Sequence, residues 1–265
     1  MDISVIIPSY KPQLYIYDCL RSIASQSLNK ERYEVILVLN GCCNPWKAEI
    51  ENYAQSYLKG LNFILIQLDE GGVSNARNYG INKSVGDYIT FLDDDDYVSP
   101  SYLEELLKVS KPDLVGIARP IAFTEGENES QPYTITNVFD RFYPSSKISF
   151  LRLRRYFSGP CMKLIHRTII GERRFNTSFT VGEDGLFMFT ISDRIHYCSL
   201  AEPSAIYYRR YRFGSLTTKR DRSFIQSNNL RLLKALSKVY FHRPYKYNIV
   251  FYLMQVLSCI YGIIH

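Results

Sequence analysis

The first half of the chain alternates apolar strand segments with amphipathic helix segments, and this order restricts the fold more than any other feature. Branched and apolar runs predict strands at residues 3–7, 33–39, 62–68, 87–92 and 113–117. Helical spacing predicts helices at residues 15–25, 45–58 and 74–83, the last capped by Ser74, and another after Pro100. Repeated βα units form a mostly parallel sheet with helices on both faces. The sequence therefore predicts an α/β, Rossmann-like fold.

The second half departs from this alternation after about residue 118. Residues 124–132 are polar and contain Gly, Asn and Pro, which predicts a loop or an insertion. The segment that follows is aromatic and basic, which favours an irregular lobe on the acceptor side. Residues 247–264 are almost continuously apolar and follow several basic residues. They predict a helical segment, either buried or in peripheral contact with a membrane.

Composition narrows the class of protein without selecting a ligand. The chain has 265 residues, 46% of them hydrophobic, which is enough for a large core and excludes a disordered chain. Its net charge of +6 suits a phosphorylated small molecule, an anionic membrane or nucleic acid. Met1 and Asp2 lead directly into the first strand, so no signal peptide and a cytoplasmic location are expected. The six cysteines form no C-x-x-C pair and are expected to be reduced thiols.

Four consecutive aspartates, residues 93–96, follow the fourth predicted strand directly. At about 4 Å and an effective dielectric near 20, each like-charged pair costs on the order of 4 kcal/mol. The carboxylates must therefore be separated into water or neutralised by a cation. A solvated acidic turn is the ordinary explanation of a charge run. The carboxyl end of a strand is where open α/β sheets bind ligands, and this position favours a divalent metal site.

Several motifs occur in an order that is highly specific as a set. They are Val5 to Tyr10, Gly72 to Ile81, Gly86 to Asp96, Gly182 to Phe187, and Tyr208 to Arg210 followed by Gly214 and Ser215. Together they resemble glycosyltransferase family 2, whose members are inverting nucleotide-sugar transferases with the GT-A fold. The resemblance implies a GT-A domain at 1–215, with a nucleotide-sugar-binding half at 1–118 and an acceptor-side half at 119–215. Residues 216–265 are then a C-terminal helical extension.

The resemblance also implies the chemistry of the two acidic motifs. The family's D-x-D motif corresponds to Asp93 and Asp95, with Asp95 as the principal ligand of Mn2+ or Mg2+ and Asp93 as a second ligand or a ribose contact. Asp94 remains a donor-binding candidate because four aspartates leave the register uncertain by one. In the Glu183-Asp184 pair, Asp184 is the implied base that deprotonates the acceptor hydroxyl, and Glu183 positions the acceptor or the base. This assignment requires Asp184 to face the aspartate run across a cleft.

Two residues of the first motifs are implied to bind the donor nucleotide. Tyr10 corresponds to an aromatic residue that stacks on the nucleobase, and Arg77 to an arginine that contacts base or phosphate. Without the motifs, Tyr10 would be a packing residue and Arg77 part of a solvated helix face. Pro8 is predicted to end the first strand and to orient the donor loop.

The resemblance implies further assignments to the nucleobase, the diphosphate and the acceptor, some of them beside departures from the family pattern. Asn40 stands where relatives carry base-reading aspartates, and its amide still offers donors and an acceptor for uridine. Arg210 and Arg212 are assigned to the donor diphosphate. Lys163 is assigned to the acceptor, although Cys161 replaces the tryptophan common in that stretch.

The sequence thus predicts a metal-dependent, inverting transfer from a UDP-sugar to a saccharide or lipid-linked acceptor, in cell-surface polysaccharide synthesis. A nucleotidyltransferase is the enzymatic alternative, but it would carry a glycine-rich loop after the first strand, and residues 10–18 contain no glycine. A noncatalytic saccharide-binding or membrane-associated scaffold is the other alternative. The aromatic and basic run at 207–215 lacks a folded nucleic-acid motif, so nucleic acid is not the predicted partner.

Overall fold

The computed structural model describes residues 1–126, 130–212 and 221–264. Its strands are β1 Ile3–Ser9, β2 Tyr33–Asn40, β3 Asn62–Leu68, β4 Tyr88–Phe91, β5 Tyr97–Val98, β6 Leu114–Ile117, β7 Arg119–Thr124, β8 Ser130–Gln131, β9 Ile148–Ser149, β10 Lys163–His166, β11 Tyr197–Leu200 and β12 Ile206–Tyr211. Its α-helices are α1 Tyr15–Ala24, α2 Trp46–Tyr57, α3 Val73–Lys83, α4 Tyr102–Val109, α5 Thr134–Phe142, α6 Arg167–Ile170, α7 Glu183–Ile191, α8 Arg222–His242 and α9 Ile249–Ile264.

An eight-stranded sheet forms the centre of the molecule, in the order β3-β2-β1-β4-β10-β6-β11-β9. The four strands β3, β2, β1 and β4 are parallel, whereas β10 runs antiparallel to both of its neighbours. Every residue of β1 and β2 is buried, which explains their unbroken apolar sequences. The predicted helix-flanked, mostly parallel sheet is therefore confirmed, with antiparallel strands added in the second half.

A second sheet, in the order β5-β12-β7-β8, was not predicted. The segment predicted as a loop at 124–132 contains the end of β7 and the two-residue strand β8. β12 was interpreted only as a basic and aromatic run, yet it pairs with β7 along six residues. Short strands with mixed polarity carry little periodic signal, so sequence alone did not reveal this sheet.

Two local predictions at the donor end of the central sheet were wrong. Helix α3 begins at Val73 after Gly72, and Ser74 lies inside the helix with its hydroxyl buried, so it is not the cap. Pro8 does not end β1, which continues to Ser9. The Ile6 carbonyl points toward β4 and accepts from Leu92 N at 3.1 Å. The backbone of Pro8, two residues later, faces the same side, where β4 has already ended. The missing N–H of proline is therefore tolerated inside the strand.

Helix α8 packs against the two residues that precede α7, Val181 and Gly182. The Asn228 amide donates to the Val181 carbonyl at 3.2 Å. A Cβ on Gly182, whose φ is +78°, would lie 2.5 Å from Leu232 on α8, so this approach requires glycine. Within the parts of the chain that the structure describes, no helix is both long and apolar enough to cross a bilayer. The predicted domain boundary at 215 lies outside the described residues.

Candidate active site

The loop that follows β4 separates its four aspartates by giving each a different partner. Asp94 accepts from the Ser9 hydroxyl at 2.6 Å, and this bond joins the loop to the end of β1. Asp96 is buried and accepts from the Tyr207 hydroxyl at 2.7 Å and from the Arg210 backbone N–H at 2.8 Å. Asp94 and Asp96 therefore hold the loop in place, between β1 on one side and β12 on the other.

Arg77 of α3 joins the aspartate loop to the second acidic motif. Its side chain is only 4% exposed. One terminal nitrogen donates to Asp93 Oδ1 at 2.9 Å and the other to Asp184 Oδ1 at 2.5 Å. Asp184 therefore lies beside the aspartate loop, on the same side of the sheet, as the sequence assignment required. This bridge defines the candidate cleft.

Asp184 has the properties of a base that works near neutral pH. It lies in the first turn of α7, and its side chain is 28% exposed. Burial raises the pKa of Asp184 to about 6; the Arg77 guanidinium opposes this rise, and neighbouring Glu183 adds to it. Because Arg77 binds Oδ1, Oδ2 remains for a second contact. Glu183 is buried, and its Oε2 has no hydrogen-bond partner among the residues described.

The aspartate loop has the donor chemistry that a divalent cation requires. Burial raises the pKa of Asp94 to about 7, with Asp95 and Asp93 adding to the effect against the Ser9 hydrogen bond. Burial and the Asp93 charge also raise the pKa of Asp95. A cation would relieve this crowding. The described residues contain no preformed set of three ligands. Mg2+ usually takes one or two carboxylates together with substrate phosphates, so Asp93 and Asp95 fit such a site.

Tyr10 and Asn40 occupy different places at the donor end of the sheet. Tyr10 is 52% exposed, and the ammonium of Lys11 lies 5.3 Å from its ring centroid. Such an exposed ring is suited to stacking. Asn40 is buried, donating to the Ser9 carbonyl at 2.7 Å and accepting from Gly72 N at 2.9 Å. Its amide therefore connects β1 to the start of α3.

Comparison with known proteins agrees with this architecture. The family model described as "Glycosyl transferase family 2" matches residues 4–174. The chain belongs to glycosyl transferase family 2. It is 31% identical to the minor teichoic acid biosynthesis protein GgaB of Bacillus subtilis over 223 residues, covering 81% of this chain and 23% of GgaB. It is 32% identical over 107 residues to the poly(ribitol-phosphate) beta-N-acetylglucosaminyltransferase TarS of Staphylococcus aureus, covering 40% of this chain and 18% of TarS.

Solved structures show that the family-2 chain has the predicted GT-A fold. S. aureus TarS 1-349 in complex with UDP-GlcNAc superposes with a TM-score of 0.72 at 22% identity, covering 89% of this chain and 66% of that one. GalNAc-T7 with UDP, GalNAc and Mn2+ superposes with a TM-score of 0.66 at 13% identity, covering 94% of this chain and 52% of that one. The matched segments make up less than a quarter of the full length of GgaB and of TarS.

The two arginines assigned to the diphosphate lie in different environments of this family-2 site. Arg210 is 4% exposed and pairs with Asp18 and Glu125, each at 2.9 Å, while its Nε donates to the Asp95 carbonyl at 2.9 Å. It supports the loop and is already occupied. Arg212 is 36% exposed and pairs with Asp95 at 2.5 Å, so it is the accessible cation at the candidate metal ligand. Gly214 and Ser215 lie outside the described residues.

Lys163 does not present its charge to an acceptor in this structure. It is 1% exposed, and its ammonium donates to the Gly159 and Cys161 carbonyls, each at 2.7 Å. Burial lowers the pKa of Lys163 to about 8. A Cβ on Gly159 would lie 3.9 Å from Asp184 Oδ2. Lys163 therefore supports the turn beside the candidate base, and the direct acceptor contact expected from sequence is not what the geometry shows.

Sequence reasoning missed the residues that position the aspartate loop. Ser9 lay within a recognised motif but was given no role, and Tyr207 lay within the aromatic and basic run at 207–215 without a role of its own. Tyr207 is fully buried, accepts from Asp93 N at 3.3 Å and donates to Asp96. A hydroxyl inside a recognised motif was the available signal for Ser9. Nothing in the sequence pairs Tyr207 with a residue 111 positions away.

Proposed function

We propose that this family-2 chain catalyses metal-dependent, inverting transfer of a sugar from a UDP-sugar to a hydroxyl of a saccharide or lipid-linked acceptor. The Arg77 bridge carries the proposal, since it holds Asp184 beside the aspartate loop. The family match supports transfer, and the UDP and UDP-GlcNAc complexes of TarS support the choice of donor. GgaB and TarS are named for teichoic acid and poly(ribitol-phosphate), so the acceptor belongs to cell-surface polymer synthesis, with a phosphate-bearing polymer as the preferred class.

Each carboxylate has a separate task in this reaction. Asp93 and Asp95 would hold the divalent cation, Mn2+ or Mg2+, which would neutralise the charge of the departing diphosphate. Asp184 Oδ2 accepts the acceptor proton as the hydroxyl oxygen attacks the anomeric carbon, and displacement from the opposite face inverts that centre. Arg77 keeps the other oxygen of Asp184 in place. Tyr10 stacks on the nucleobase, and Arg212 leaves Asp95 to pair with the donor phosphates.

The first prediction concerns UDP binding and product identity. With Mn2+ and an accepted UDP-sugar, the chain should release UDP, and Asp95→Asn should weaken Mn2+-dependent UDP binding at least tenfold, because one hard oxygen ligand loses its charge. Calorimetry of UDP with and without Mn2+ measures the affinity. Asp87→Asn is the matched control, because Asp87 is an exposed carboxylate just before the opposite end of β4. Release of pyrophosphate would identify a nucleotidyltransferase, and absence of nucleoside diphosphate binding would favour a scaffold.

A second prediction concerns the outer face of α9. Exposed apolar side chains repeat along it at Ile249, Leu253 and Leu257, after exposed Arg243 and Lys246. We propose peripheral contact with an anionic bilayer on the cytoplasmic side. The apolar face of the helix would lie against the acyl chains, and the basic residues before it would pair with anionic headgroups. Leu253→Ser with Leu257→Ser should lower cosedimentation with phosphatidylglycerol vesicles at least fivefold.

The control for this prediction is Leu230→Ser, which removes a similarly exposed leucine from α8. Equal cosedimentation of the double variant and the unaltered chain would contradict membrane contact through α9. Loss of binding in the control as well would assign the contact to general apolar exposure.

A further inference from the structure

A basic cleft lies on the acceptor side of the molecule and takes no part in the chemistry described above. It has a volume of about 600 Å³ and lies between α5 and the short helical segment Arg154–Ser158. Four arginines line it together with Asn137 and Phe142, namely Arg141, Arg152, Arg154 and Arg155. None of them belongs to a motif that the sequence analysis recognised.

The four guanidiniums lack acidic partners among the residues described. No carboxylate there lies within 4.0 Å of Arg141, Arg152, Arg154 or Arg155. Asp140, the acid of α5, is bound by Arg119 at 2.7 Å and 2.9 Å. Arg154 Nε is buried and has no hydrogen-bond partner in the described parts of the chain. Four like charges in one cleft repel one another unless an anion binds between them.

The cleft also holds two of its cations in position. The Phe142 ring lies 5.6 Å from the Arg141 guanidinium carbon and 6.0 Å from that of Arg152. Phe142 is the single aromatic residue of the lining, and cations flank it. Nucleic acid binding uses successive aromatic platforms for the bases, so this lining suits phosphate groups better than a nucleic acid strand.

The cleft adjoins the candidate base through the chain itself. Arg155 precedes Gly159 by four residues, which bounds their separation at about 14 Å. Gly159 borders Asp184 Oδ2, and the buried Lys163 ammonium holds its carbonyl. The Arg155 backbone therefore lies at most about 14 Å from the turn beside the base, a distance that an extended oligomeric acceptor can span.

We propose that this cleft binds a phosphate group of the acceptor and thereby places a nearby acceptor hydroxyl at Asp184. The inference rests on the proposed function and specifies its acceptor as an anion. Arginine forks donate to phosphate in a bidentate manner, so several of them around one cleft select a phosphate over a neutral sugar. The arginines position substrate and touch no reacting atom.

The test compares two variants that each remove two positive charges. Arg152→Gln with Arg155→Gln alters exposed cleft residues, and Arg21→Gln with Lys59→Gln alters exposed residues elsewhere. The probe is a fluorescently labelled polyol-phosphate oligomer, titrated against the full chain without sugar nucleotide. The cleft variant should bind about tenfold more weakly, with a shallower salt dependence, and the control variant should match the unaltered chain. Equal affinity in all three proteins would overturn the inference.

Further arms identify the source of the phosphate and separate this inference from the proposed function. Competition by a polyprenyl diphosphate in detergent, exceeding that by free oligomer, assigns the phosphate to a lipid-linked acceptor; the reverse assigns it to a polymer chain. Tighter binding of single-stranded DNA than of either would overturn the inference.

With a working donor and acceptor, the cleft variant should raise acceptor KM about tenfold and leave kcat unchanged. Probe binding without any transfer would contradict the proposed function alone, whereas Mn2+-dependent UDP binding without an effect of the cleft variant would contradict this inference alone.

Discussion

Asp184→Asn should lower the transfer rate by about 10² to 10⁴-fold while UDP binding remains within twofold of the unaltered chain. Asparagine keeps the shape of the side chain and its Oδ1 contact with Arg77, but it cannot accept the acceptor proton. Binding of the donor depends on the aspartate loop, which the substitution leaves in place. Single-turnover transfer and calorimetry of UDP with Mn2+ measure the two effects separately.

The unaltered chain should also show an acidic limb in its transfer rate, because protonated Asp184 is inactive as a base. Burial raises the pKa of this carboxyl to about 6, so the rate should increase as pH rises through that value. Asp140→Asn is the control, since Asp140 is an exposed carboxylate that is bound by Arg119 and lies outside the active-site cleft at Arg77. A variant at Asp184 that retains full turnover would remove this residue from the role of base.

The parts of this site that sequence predicts are those encoded within a few residues. The apolar runs of β1 and β2 and the aspartates after β4 are contiguous, so their strand ends and acidic loop could be predicted. The order of the motifs also placed Asp184 in the same site as the aspartates. Local pattern and motif order are therefore sufficient for the fold class and for the identity of the acidic groups.

The supporting contacts were not predictable, because they join residues far apart in the chain. Arg77 and Asp184 are separated by 107 positions, and their ion pair exists only after α3 and α7 have packed on the sheet. The burial of individual side chains also depends on how distant segments pack together. A lysine in a polar motif was assigned to the acceptor, whereas the structure encloses Lys163 and uses it to hold Gly159. Residue type shows which groups carry charge, and tertiary packing decides which of them remain accessible.

Arg77→Met should have the largest effect on stability, lowering the free energy of unfolding by about 2–4 kcal/mol at neutral pH. Removing one member of a buried ion pair usually costs about 3–5 kcal/mol, and the estimate is reduced because Asp93 and Asp184 keep side-chain exposures of 40% and 28%. The two carboxylates would lose the cation that bridges them while remaining close together. Urea unfolding at pH 7.5 measures the loss. Arg119→Met, which breaks the more exposed pair with Asp140, should cost under about 1 kcal/mol.

The pH dependence of this loss distinguishes a broken ion pair from a packing defect. The folded-state pKa of Asp184 is above its usual value because of burial, so ionisation of this group destabilises the fold as pH rises from about 4 through 6. Arg77 opposes that rise, and its removal should move the pKa higher still. The difference in stability between Arg77→Met and the unaltered chain should therefore shrink at pH 5, where Asp184 is protonated in the variant, and grow toward pH 7.5. The acidic limb of any residual transfer should move to higher pH for the same reason, whereas a loss of stability independent of pH would assign the effect of Arg77 to packing alone.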